Sequence, residues 1–186
     1  MGADSMTVDD VRTLLPFNHL RRLDLDNTGL VPDDHLLDDM AKAWPMLEHL
    51  AFTNDDKRIP PKATLNGLVP FSKHCPHIAN LELQLDAREV SVPANTTDAS
   101  WDESREGERM VVLMYIEEPS EISDPTSVAS FLLNLFPRIS LFIPHNQDDS
   151  QQEFLWQRVV DIIGGTGDDS ATNELMNIPN RSQSVG

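Results

Sequence analysis

The chain is short of the residues on which most sequence-readable chemistry depends. Of 186 residues, one is cysteine and one is tyrosine, and Lys and Arg number 14 against 31 Asp and Glu. The lone Cys75 excludes an internal disulfide, which suits a reducing compartment. A formal charge of −17 leaves little with which to neutralise phosphates. That argues against nucleic acid and against an anionic membrane surface. No apolar run approaches the roughly 18 residues needed to span a bilayer. Met1-Gly2-Ala3-Asp4-Ser5 lacks the basic and apolar parts of an export signal. The expected location is therefore intracellular, cytoplasmic or nuclear.

Catalytic and ligand motifs are equally scarce. His74-Cys75-Pro76-His77 lacks the second ligand pair that a zinc site needs. No Lys follows Gly164-Gly165-Thr166-Gly167, so it is not a phosphate loop. Acid pairs such as Asp9-Asp10, Asp33-Asp34, Asp38-Asp39 and Glu117-Glu118 lack the spacing of a calcium loop. No nucleophile elbow occurs. The expectation is a protein that is not an enzyme, with no catalytic residue, no cofactor and no metal. Excess acid serves solubility, or steers a basic partner.

What is present is a repeat. The pattern apolar-x-x-apolar-x-apolar falls at Leu20-Leu23-Leu25, Leu47-Leu50-Phe52, Ile78-Leu81-Leu83 and Met110-Leu113-Tyr115, with a degenerate copy from Ile139 to Phe142. Counting from positions 20, 47, 78, 110 and 139, the copies lie 27, 31, 32 and 29 residues apart. Trp44-Pro45, Cys75-Pro76 and Phe136-Pro137 precede three of them. This period and core predict an α/β leucine-rich-repeat solenoid (a horseshoe) of about five repeats, with parallel inner strands and outer helices. Cys75, in register with Trp44 and Phe136, should be a buried structural thiol.

Strands are expected at Arg22–Asp26, His49–Thr53, Asn80–Gln84 and Val112–Ile116, with a weak one near Leu141–Ile143. Thr7 to Asp10 reads as a capping box for a helix over 8–15. Helices should also follow Asp33-Asp34, Thr64 and Asp124-Pro125, the last because Asp caps and Pro fits the first helical position. Pro70 should shorten or kink its helix. The repeat domain spans 1–163. Within it, 86–109 is expected as an irregular acidic loop. A capping helix over 150–163 should open at Ser150 and stop at Gly164-Gly165. Residues 164–186 read as a disordered tail.

The stretches Asp38 to Leu50 (DDMAKAWPMLEHL), Gly67 to Leu83 (GLVPFSKHCPHIANLEL) and Asp124 to Pro137 (DPTSVASFLLNLFP) resemble the leucine-rich repeats of fungal, particularly basidiomycete, F-box proteins. The likeness covers roughly residues 14–163. It implies the substrate-recognition half of a Skp–cullin–F-box ubiquitin ligase. No F-box is legible before Leu14, so the Skp adaptor is expected as a partner only if an F-box lies upstream. The alternative is a free-standing scaffold or a truncated product. Either way the partner is a protein of unspecified identity.

Partner contacts are expected on the concave face, at the positions flanking each apolar pair. These are Arg22 and Asp24, then His49, then Glu82 and Gln84, then Val112, Met114 and Ile116. On this reading the face begins charged and ends apolar. The apolar end is either a peptide site or a core covered by the 86–109 loop or the Trp156 helix. The first strand should also leave its outer edge unpaired, which predicts dimerisation or aggregation.

Overall fold

A computed structural model of the chain describes residues 6–54, 56–90, 111–143 and 151–166. Its centre is a five-stranded parallel sheet built from β1 (Arg22–Asp26), β2 (His49–Thr53), β3 (Asn80–Leu83), β5 (Val112–Ile116) and β7 (Ile139–Phe142), each strand beside the next in that order. The class is α/β. β1 stands at one edge of the sheet, as its sequence position predicts. Two residues of β4 (Asp86–Ala87) pair in parallel with β6 (Glu121–Ile122) as a second, small sheet. The expected irregular loop thus begins as a strand. Most of it, from 91 onward, lies outside the described residues, as do Ser150 and 167–186.

Helices return the chain from β1 to β2, from β2 to β3 and from β5 to β7, and their ends follow from local chemistry. Thr7 accepts from the Asp10 amide while Asp10 accepts from the Thr7 amide. That closes the capping box of α1 (Val8–Arg12), which is shorter than expected. Asp33 caps α2 (Asp34–Ala43) through the Leu36 amide at 2.8 Å. Thr64 opens a 3₁₀ turn over Leu65–Leu68 that runs into α3 (Val69–His74), so Pro70 falls in the first turn, where no amide is missed. Asp124 caps α4 (Pro125–Leu135), with proline at its start. The residues before the three X-Pro steps act alike. Trp44, Cys75 and Phe136 are the C-caps of α2, α3 and α4, and all three are buried. Burial pushes the Cys75 thiol up to about 12, so it stays a thiol at neutral pH.

The helix starts are tied together. Both oxygens of Asp34 accept from Thr64, one from its amide and one from its hydroxyl, each at 2.6 Å. Gly67 lies directly beneath. A Cβ there would stand 2.7 Å from Asp34 Oδ1 and 2.7 Å from Leu37 Cδ1. Gly67→Ala is therefore expected to push the carboxylate off Thr64 and lower stability by about 1–3 kcal/mol. Urea unfolding followed by circular dichroism measures it.

The core lies on one face of the sheet. Leu23, Leu50, Leu81, Met114 and Leu141 are successive neighbours in register, and all are buried. At the far end α5 (Gln151–Thr166) packs on α4 and β7 through Trp156, Val159 and Ile163, at helical spacing. The helix runs through Gly164 and Gly165 rather than stopping there. Both glycines are exposed, and no described group lies near enough to oppose their helical conformation. Among the described residues no helix is long and apolar enough to cross a membrane.

Candidate functional site

Register decides which face each strand presents, and here it corrects the sequence reading. Leu81 pairs with Met114, not with Leu113. Val112, Met114 and Ile116 therefore join the core row and are 6, 0 and 2 % exposed. They are not part of an open face. Seven consecutive apolar residues, Met110 to Ile116, carry no alternation, so the pattern could not fix the phase of this strand. One residue of slip moved every side chain to the other side.

The opposite face carries what the slip concealed. Along its central row run Asp24, Ala51, Glu82, Tyr115 and Phe142, each the register partner of the next. Tyr115 and Phe142 stack at 5.0 Å between ring centroids, inclined by 16°. They remain 36 and 45 % exposed. Stacked rings left in water on adjacent strands form an apolar platform. A second row holds Arg22, His49, Asn80, Leu113 and Ser140.

The first three strands make the charged end of the same face. Arg22 bonds Asp24 at 3.0 Å, and His49 Nε2 lies 3.7 Å from the same carboxylate. Thr53 donates its hydroxyl to Asp26 at 2.5 Å. The predicted Arg22, Asp24, His49 and Glu82 are thus brought together. Gln84 is not available as rim, being only 8 % exposed. Its amide donates to the carbonyls of Asn54 and Glu118, bracing the turns after β2 and β5.

Glu82 lies close enough to Glu117 for its charge to disfavour ionisation of the Glu117 carboxyl. Burial first, then the charges of Asp26 and Asp24, hold Glu82 above its ordinary value. Burial first, then Glu82 itself, does the same for Glu117. A raised folded-state value makes the folded form bind protons more tightly, so this pair favours folding at mildly acidic pH. That contribution fades as pH climbs through the raised values. Asp10, Asp86 and Asp124 are held low by hydrogen bonds, so their contribution is present above the ordinary carboxylate range and is lost as pH falls through the lowered values. Glu117→Gln removes the repulsion and keeps a donor for Glu82. It is expected to raise the melting temperature at pH 7 by about 1–3 °C and to lose that advantage near pH 5. Calorimetry across that range checks the sign.

A separate group, His35, Asp38 and Asp39, converges on α2. Asp38 is engaged there by Lys42 at 2.6 Å. Sequence reasoning missed Tyr115, Phe142 and Glu117 as members of the face. The one legible signal was Ile139-Ser140-Leu141-Phe142, whose polar Ser140 marks the outward phase of β7. Compared with known proteins, the chain matches no family model, no curated protein and no solved structure.

Proposed function

We propose that this chain is a leucine-rich-repeat recognition module and that the open face of its parallel sheet is the contact surface for a protein partner. The repeat reading is supported by sequential parallel strands and by the equivalent buried C-caps Trp44, Cys75 and Phe136. The observation that carries the functional reading is the Tyr115–Phe142 stack, exposed beside a row of carboxylates on the side of the sheet away from the core. An exposed aromatic pair on a stiff surface gives an anchor with little ordering entropy to lose on binding.

The resemblance to F-box proteins extends this proposal. The module would present a substrate to a ubiquitin ligase, with adaptor contact and catalysis supplied by other parts of the assembly. A free-standing scaffold is the alternative. Affinity purification of the tagged chain from its native cells, with and without any upstream exon, separates them. Skp adaptor and cullin recovered only with the upstream exon support the ligase role. Their absence from both leaves the scaffold. Tyr115→Ser in the same experiment tests the face, since a contact surface loses its partners while the melting temperature holds.

A further inference from the structure

We infer that the open face receives an extended basic segment by an arginine, whose guanidinium lies on the Tyr115–Phe142 stack and turns its edge toward the Glu82 and Glu117 carboxyls. The inference rests on the reading of this face as a contact surface and names its occupant.

Placement carries it. Tyr115 is the register neighbour of both Glu82 and Phe142. Glu117 follows Tyr115 by two residues, and its amide donates to the Leu83 carbonyl, so the parallel pairing runs one residue past β5 and sets Glu117 on the same side. It lies close enough to Glu82 for the two carboxylates to repel. A cation resting on the tyrosine ring therefore meets two carboxyl groups at its rim. Charge complementarity points the same way. Among the described residues, Asp24, Asp26, Glu82 and Glu117 outnumber the face's one arginine, Arg22, which is engaged with Asp24. Burying a second carboxylate beside the first is unfavourable until a cation arrives, which gives the site a preference for positive charge.

Arginine suits the arrangement better than lysine. Its planar group stacks on an aromatic face while its forked edge donates to two oxygens, whereas an ammonium is a compact, strongly hydrated charge. Planar stacking together with forked donation is expected to favour arginine by roughly two- to fivefold.

Tyr115 is the only tyrosine in the chain, so 3-fluorotyrosine places a single fluorine reporter on the platform. The full chain is titrated with a short alternating arginine–serine peptide and with its lysine counterpart. The expected result is a saturable fluorine shift, with the lysine peptide roughly two- to fivefold weaker. Glu82→Gln with Glu117→Gln should weaken the arginine peptide about tenfold. Phe142→Leu should bring the two peptides level while the melting temperature holds. Equal affinity of both peptides for the unmodified face overturns the inference, as does calorimetric binding with no fluorine shift, which would be adhesion to net acidity elsewhere. If the peptides bind alike yet Tyr115→Ser still removes the co-purifying partners, the arginine falls and the contact face stands. If neither peptides nor partners respond to Tyr115→Ser, both fall.

Discussion

Met114→Glu is expected to unfold the protein. The side chain is fully buried in the core row between Leu81 and Leu141. A carboxylate there has no partner and no water, and replaces a methionine that fills the space. The cost is at least about 4–5 kcal/mol, most of the stability of an ordinary domain. The adjacent substitution Tyr115→Glu points to the other side of the same strand. It should change stability by only about 1 kcal/mol, set by the lost ring contact and by new repulsion from Glu82. Circular dichroism with urea reads both. A folded Met114→Glu beside an unfolded Tyr115→Glu would restore the phase expected from the sequence pattern and return Met114 to the open face.

That pair of neighbours shows where sequence reasoning has purchase. β1 and β3 were legible because charged or polar residues alternate with leucines, as in Arg22-Leu-Asp-Leu-Asp26, and β2 because His49 and Thr53 bracket Leu50 and Phe52 in the same phase. Each exposed acid tells the reader which way its neighbour points. Caps were legible for the same kind of reason. Asp33, Thr64 and Asp124 offer oxygens to orphan amides, and a proline past the last turn pushes the residue before it out of the helical region. The five parallel strands and the helices between them follow from those signals. β5 was not legible in phase, because Met110 to Ile116 is apolar throughout and only its neighbours' registers select a face. The candidate site inherited that ambiguity. Its charged residues Arg22, Asp24, His49 and Glu82 do lie on the face away from the core. Its apolar half was assigned to three core residues instead of the aromatic pair. Gln84 failed differently, because a long amide can turn back to the backbone carbonyls of Asn54 and Glu118. No spacing rule announces such a contact.

Trp156→Ala should cost about 3–5 kcal/mol, the range for removing a large buried aromatic. For a chain of this length that is a fall in melting temperature of roughly 6–20 °C. Trp156 is 2 % exposed, and its indole N–H donates to the Ser120 carbonyl at 3.1 Å. Ser120 in turn accepts from the Leu85 amide at 2.8 Å and donates to the Glu117 carbonyl at 2.6 Å. One side chain on α5 thus bears on the turn that follows β5 and on the segment leading into β4. Trp156→Phe keeps much of the volume and loses the hydrogen bond, so it should cost only about 1–2 kcal/mol. Phe154→Ala, at a site 63 % exposed, should cost less still. The damage should also be uneven. Hydrogen exchange is expected to quicken at β7 and at Glu117–Ile122 well before it changes at β1, because α5 covers the former and lies four strands from the latter. Phe142 belongs to β7 and Glu117 to the turn braced by Ser120. A loosened α5 should therefore weaken the Tyr115 fluorine response to the arginine–serine peptide while leaving the Asp24–Arg22 end of the face intact. Uniform acceleration across all five strands would instead mean that the sheet opens as one cooperative unit, with the aromatic platform no more dependent on Trp156 than any other part of the core.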